Sequence, residues 1–293
     1  MKRIAYLLIL FVGIGIYPTD MSAKKEKKQA ESSSSKSCLH INYRYWDCQV
    51  ENERGLDGFP ENTATAFLEA ILAGYNMVEC DVAFSKDNIP VISYSPKIDR
   101  NTFGKGYIKD YTAASLFEMD FGIKKNKKFA GTKIALLSDI LRICKRTNTI
   151  LEINCTDKER FPNDKYEIVY KMVKKFGMLG STIFYDKAAN LETLLDIDPH
   201  VLVTISYDPV NSTLEKEFEV AKRAEAAEFA VRSTIVTQKL INQIHEEGFM
   251  VKIWTINNIL DLKKFVFMGA DRVISKKLGP KFDYTIEKDP PIE

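Results

Sequence analysis

The segment Val78-Glu79-Cys80-Asp81-Val82 sets two carboxylates two residues apart inside an otherwise apolar run. On a strand this spacing turns both acids to one face and Val78, Cys80 and Val82 to the other. If the apolar face packs on helices, Glu79 and Asp81 point inward. Two bare carboxylates there repel each other and lose hydration unless a cation or a proton joins them. A hard divalent ion, Mg²⁺ or Ca²⁺, suits oxygen ligands; solvated or arginine-paired acids are the other readings of the same spacing. Ile150-Leu151-Glu152-Ile153-Asn154 repeats the arrangement, with Glu152 and Asn154 on one face. Glu152 is then either a third ligand or the partner of a neighbouring lysine or arginine.

The elements that must hold these groups alternate short β-branched or aromatic runs with amphipathic stretches, the pattern of a parallel sheet covered by helices. Strands are predicted near Leu39 to Tyr43, Met77 to Phe84, Thr149 to Cys155, Thr182 to Tyr185, Val201 to Tyr207, Glu228 to Arg232, Met250 to Ile256 and Arg272 to Ser275. Helices are expected between them, for example Glu61 to Ala73 opened by Pro60, Tyr166 to Phe176, Glu215 to Ala224, Thr237 to Glu247 and Leu260 to Met268. Eight such strands close a (β/α)8 barrel, an α/β fold in which reactive groups belong at the C-terminal strand ends.

Composition narrows the classes of function. The balance of 42 basic against 40 acidic residues gives no sign of a nucleic-acid partner. Five cysteines, Cys38, Cys48, Cys80, Cys144 and Cys155, are too few and too scattered for a disulfide scaffold or a zinc site. Only Cys38 and Cys48 are close enough in sequence to suggest a bridge; buried thiols are the alternative. Lys2 and Arg3 precede an apolar run from Ile4 to Tyr17, with small and polar residues near Ser22 and Ala23. Residues 1–23 therefore read as a secretory signal peptide. The run is shorter than the roughly 20 residues a spanning helix needs, so an uncleaved anchor would be the chain's only hold on a membrane. Residues 24–37, rich in lysine, glutamate and serine, read as a disordered tether, and 38–293 as the barrel. The destination is periplasmic, cell-surface or secreted.

Several blocks in order resemble the glycerophosphodiester phosphodiesterase family. They are Gly58-Phe59-Pro60-Glu61-Asn62-Thr63-Ala64-Thr65-Ala66-Phe67, Val78-Glu79-Cys80-Asp81-Val82, Ser85-Lys86-Asp87-Asn88-Ile89-Pro90-Val91-Ile92, Asp99-Arg100-Asn101-Thr102-Phe103-Gly104-Lys105-Gly106, and Trp254-Thr255-Ile256-Asn257 with Gly269-Ala270-Asp271. The resemblance implies a TIM barrel of the PLC-like phosphodiesterase type. It implies one divalent cation, Mg²⁺ or Ca²⁺, on Glu79, Asp81 and Glu152, and a small phosphodiester or polyol-phosphate ligand. The family cleaves glycerophosphodiesters with one histidine in a His-Arg-Gly motif after strand one and a second in a His-Asp pair after strand two.

Here the second position is Tyr94, followed by Ser95. For the first, Tyr43-Arg44 ends an apolar strand while Glu53-Arg54-Gly55 lies at nearly the family distance before Pro60. Tyr43-Arg44 is preferred because it leaves the reactive position at a strand end. Tyr43 and Tyr94 then stand in the catalytic positions, and Arg44 and Trp254 are the ligand-binding candidates. Arg232 is assigned to a salt bridge at the rim. His40, His200 and His245 fall at neither family position. An unperturbed tyrosine, with a pKa near 10, is a poor base at neutral pH, and a positioned acid or base contributes about a hundred to ten thousand fold in rate. A weakly active or inactive binding protein is the first expectation. An active phosphodiesterase with a modified mechanism is the alternative, and a barrel with neither metal nor ligand is the third reading.

Overall fold

The structure, a computed structural model, describes residues 49–280. Strand β1 (Gln49–Glu53) leads through a loop to helix α1 (Ala64–Leu72) and strand β2 (Met77–Phe84), onto which the short β3 (Pro90–Ile92) folds back antiparallel. Helices α2 (Ala113–Glu118) and α3 (Leu137–Thr147) precede β4 (Ile150–Asn154) and α4 (Tyr166–Phe176). The alternation continues through β5 (Thr182–Asp186), α5 (Ala188–Ile197), β6 (Leu202–Tyr207), α6 (Leu214–Ala221), β7 (Ala226–Arg232), α7 (Gln238–Glu246), β8 (Met250–Trp254), α8 (Ile259–Phe267) and β9 (Arg272–Ser275). All strands but β3 are parallel, and β1 pairs with both β2 and β9, so the sheet closes into an eight-stranded barrel.

The outward positions of the strands supply the core against the helices. Val78, Cys80, Val82, Leu151, Ile153, Phe184, Val203, Phe229, Val251 and Val273 are all buried there. The inward positions are layered. Met77, Ile183 and Leu202 form an apolar floor. Above them lie charged and polar groups: Glu51, Glu152, Thr204, Glu228, Lys252 and Arg272. In the register, Glu53 on β1 stands beside Glu79 on β2, and Glu79 beside Glu152 on β4.

The first strand differs from its sequence assignment. The barrel uses Gln49–Glu53 rather than Leu39 to Tyr43, and the latter segment lies outside the described residues, as do the proposed signal peptide, the tether, His40, Cys38 and Cys48. Gln49–Glu53 carries a single large apolar residue, Val50, because its inward side chains enter the charged layer instead of a hydrophobic one. Helix α1 also starts later than expected. Thr63 caps it, accepting from the Ala66 amide at 3.3 Å and donating to the Pro60 carbonyl at 2.8 Å, which leaves Glu61 and Asn62 in the loop above the barrel. Between β3 and α3 the chain builds a second small core from Ile98, Ile108, Leu116, Phe121 and Ile134, and this excursion carries Tyr94 and Arg100. Cys80, Cys144 and Cys155 are buried free thiols. Among the described residues no helix is long and apolar enough to cross a membrane.

Candidate functional site

A cavity of about 410 Å³ opens at the C-terminal ends of the strands, and its lining includes Glu53, Arg54, Glu79, Tyr94, Lys252 and Trp254. Arg54 and Gly55 follow β1 directly, both with left-handed backbone (φ 62° and 88°). A non-glycine residue there is uncommon, and bonds on all sides hold Arg54 in place. Its amide donates to the Glu79 carbonyl at 3.0 Å and its carbonyl accepts from Asn62 N–H at 2.9 Å. Gly55 has to be glycine, since a Cβ would lie 2.5 Å from that of Ala66. The turn thus presses β1 against α1 and directs the Arg54 guanidinium across the cavity.

Asp81 is the anchor of that guanidinium. Arg54 Nε lies 2.7 Å from Asp81 Oδ2, and Arg160 Nη2 lies 3.1 Å from Oδ1. Asn62 donates its side-chain amide to Oδ2 at 3.0 Å. Arg160 is itself buried and donates to the carbonyls of Val82 and Asn154 at 2.8 and 2.9 Å. Asp81 therefore sits between two arginines, with Oδ2 accepting from Asn62 and Oδ1 in ion contact with Arg160 but without a hydrogen-bond partner.

Glu152 is also taken. Lys252 donates to its Oε2, and the Thr204 hydroxyl donates to Oε1 at 2.6 Å. Lys252 reaches Glu51 at 3.2 Å and Glu228 at 3.7 Å as well, and Arg272 pairs with Glu228 at 2.8 Å. Burial alone would lower the Lys252 ammonium, but Glu152, Glu51 and Glu228 together more than reverse this and raise it. Three carboxylates thus share two cations. The surplus falls on Glu51, pushed up to about 8 by burial and by the adjacent Glu152 carboxylate.

Glu79 remains. It is 1% exposed, and neither carboxylate oxygen has a hydrogen-bond partner. Burial first and the Asp81 charge second push its carboxyl well above the usual carboxylate range. Glu53, beside it, pairs through Oε1 with Arg54 at 3.2 Å and Lys276 at 3.6 Å, while Oε2 has no partner. The set Glu79, Asp81 and Glu152, expected to surround one ion, is not disposed as a ready three-ligand site. Among the described residues no three acidic, histidine or cysteine side chains are. In the structure Arg54 and Arg160 pair with Asp81, and Lys252 pairs with Glu152. Glu79 is the acid whose bare oxygens fit a cation.

The remaining candidates divide. Tyr94 lies at the cavity, 40% exposed, with the guanidinium carbons of Arg54 and Arg100 at 3.5 and 4.6 Å from its ring centroid. Trp254 lines the wall, and its indole N–H is buried without an acceptor. Arg232, assigned to a rim salt bridge, instead stands 5.1 Å from the Trp254 ring. Tyr43 and Arg44 lie outside the described residues, and the end of strand one is occupied by Glu53-Arg54-Gly55. That is the second of the two alignments open in the sequence, and it too leaves its first residue at a strand end. His200 pairs with Glu225 at 3.1 Å ahead of β6, and His245 with Asp271 at 2.8 Å on α7; neither reaches the cavity lining. Arg160 carried no signal, since Asp157-Lys158-Glu159-Arg160 reads as a solvated charge run. Lys252 was hidden inside an apolar strand.

Fold and site together define an α/β barrel with its polar chemistry gathered at the strand ends, where barrel enzymes carry theirs. The chain belongs to the glycerophosphoryl diester phosphodiesterase family, which it matches over residues 54–279. It is 26% identical over 219 residues to a glycerophosphodiester phosphodiesterase of Caldanaerobacter subterraneus subsp. tengcongensis, covering 74% of this chain and 88% of the relative. A Bacillus subtilis glycerophosphodiester phosphodiesterase is 23% identical over 247 residues, covering 76% and 81%. An Oleispira antarctica phosphodiesterase, solved with its product sn-glycerol-3-phosphate, superposes with a TM-score of 0.70 at 22% identity, covering 78% of this chain and 92% of that one.

Proposed function

We propose that this protein is exported, that it binds small glycerophosphodiesters or polyol phosphates at the barrel mouth, and that it turns them over slowly or not at all. The observation that carries the reading is the pair of residues in the family's histidine positions. Glu53, ion-paired to Arg54 and Lys276, ends strand one, and Tyr94, flanked by Arg54 and Arg100, follows β3. Neither is an imidazole, and a carboxylate held by two cations is a weak shuttle for a proton that must be both taken and returned. Binding groups are nonetheless in place. The Trp254 N–H lacks an acceptor, Lys252 reaches the cavity from below, and the Tyr94 ring and Arg54 form one wall. The bare oxygens of Glu79 support a divalent cation, Mg²⁺ or Ca²⁺, which would supply positive charge for a phosphate oxygen when bound.

The test is a hydrolysis assay on glycerophosphocholine and related diesters with Mg²⁺ or Ca²⁺ supplied, alongside calorimetric titration with sn-glycerol 3-phosphate. Binding with little turnover is expected. Turnover at ordinary enzyme rates that falls when Glu53→Gln or Tyr94→Phe is introduced would replace this reading with an active phosphodiesterase of altered mechanism. Fractionation of the producing cell tests export.

A further inference from the structure

Of the carboxylate residues that line the cavity, three buried oxygens have neither a hydrogen bond nor an ion pair: both of Glu79 and one of Glu53. They belong to neighbouring positions on adjacent parallel strands, Glu53 directly beside Glu79. Adjacent strands run about 4.8 Å apart, so side chains of one face at this register can bracket a single ion. The other two acids of the mouth cannot be recruited without breaking existing ion pairs, Asp81 from Arg54 and Arg160, and Glu152 from Lys252. We propose that Glu53 and Glu79 together hold a divalent cation, and that a phosphate oxygen of the ligand completes its coordination, so that cation and ligand each bind weakly alone and strengthen one another. The proposal rests on the ligand reading above and gives Glu53 a role distinct from proton transfer.

Charge explains why the two should depend on each other. Arg54 and Lys252 are the cations of the cavity, but Asp81 and Glu152 already oppose them. What faces an incoming phosphodiester is then the bare oxygens of Glu79 and Oε2 of Glu53, whose lone pairs offer an anion no positive charge. A divalent ion supplies it. From the ion's side, three protein oxygens fall short of the six or more that Mg²⁺ or Ca²⁺ takes; an ion bound through one or two carboxylates usually keeps waters and substrate phosphate in its shell. Each partner thus supplies what the other lacks, and the coupling must be reciprocal. Glu53 also explains how a site with Asp81 and Glu152 occupied can retain an ion at all.

The experiment uses the full chain, with Mn²⁺ as the probe ion followed by electron paramagnetic resonance and sn-glycerol 3-phosphate as the probe ligand followed by calorimetry. Saturating sn-glycerol 3-phosphate is expected to tighten Mn²⁺ binding at least tenfold, and saturating Mn²⁺ to tighten sn-glycerol 3-phosphate by the same factor. Glu53→Gln is expected to weaken Mn²⁺ at least tenfold and to remove the coupling, with Glu53→Asp keeping part of both. Glu79→Gln, which replaces an unpartnered buried carboxyl by a neutral group of the same shape and so folds at least as well as the natural chain, should behave like Glu53→Gln. Unchanged Mn²⁺ affinity in a folded Glu53→Gln protein overturns the proposal, as does tight ligand binding that ignores Mn²⁺; in both cases the function proposed above stands. Failure of sn-glycerol 3-phosphate and glycerophosphocholine to bind with or without the ion sinks that function instead.

Discussion

Replacing Glu51 with glutamine should stabilise the protein at neutral pH, although Glu51 lies fully buried in a network of ion pairs. Among the described residues, Glu51, Glu152 and Glu228 pair with two cations across the barrel interior, Lys252 and Arg272, so one acid is in excess. Burial and Glu152 push the Glu51 carboxyl up to about 8 from an ordinary 4.5. Below pH 4.5 the folded and unfolded chains both carry its proton, and the group costs nothing. Between 4.5 and 8 the folded chain keeps a proton that the unfolded chain releases, so stability falls as pH rises through this window. At about 1.4 kcal/mol per pH unit, the loss is roughly 3 kcal/mol by pH 7 and on the order of 5 kcal/mol above pH 8. Glutamine has the shape of the protonated acid and no proton to lose. Urea denaturation at pH 5, 7 and 8.5 should show Glu51→Gln close to the natural protein at pH 5 and about 2 to 3 kcal/mol more stable at pH 7, with a wider gap at 8.5. A variant less stable at pH 7, or two stability curves that run parallel, would refute the charge count on which the reasoning rests.

Restoring both family histidines as Glu53→His and Tyr94→His, with Ser95→Asp to orient the second, should raise hydrolysis of glycerophosphocholine about a hundredfold or more over the natural protein. Either histidine alone should do much less, because acid and base act on one reaction; equal gains from single and combined variants would count against the pairing. Arg160→Gln strips Asp81 of one cation and leaves the Val82 and Asn154 carbonyls short of a donor, and chemical denaturation should record a loss of about 3 kcal/mol. Gly55→Ala meets Ala66 at 2.5 Å and a backbone that disfavours any Cβ; a melting temperature within a degree or two of the natural protein would show that the turn can yield, whereas a loss of about 2 kcal/mol or more is expected.

The parts of this molecule that follow the apolar pattern were legible in its sequence. Met77–Phe84 alternates buried hydrophobics with Glu79 and Asp81, and strand, facing and depth all match that pattern. The first strand did not announce itself. Gln49-Val50-Glu51-Asn52-Glu53 has the composition of a loop, and only the cations of distant strands make its burial tolerable. The same limit hid the fate of the acids. Spacing places Glu152 inward, but whether an inward acid meets a metal or a lysine depends on Lys252, a hundred residues further along the chain. Asp81 depends in the same way on Arg160, which lies in a stretch that reads as solvated charge. Facing is a local property, whereas the identity of the partner is set by closure of the barrel.

The charged layer ties assembly to chain order. Its acids come from β1, β4 and β7, and the cations that meet them, Lys252 and Arg272, come from β8 and β9, the last strands to leave a ribosome. A half-barrel ending before β8 would have to bury Glu51, Glu152 and Glu228 without either cation, at a cost of several kcal/mol for each ionised group. Barrels of this kind can be imagined as accretions of βα units, each settling on the one before. Here the interior works against such stages: an incomplete ring leaves these acids to water or to protonation, so neutralising the interior by ion pairs goes with closing the ring.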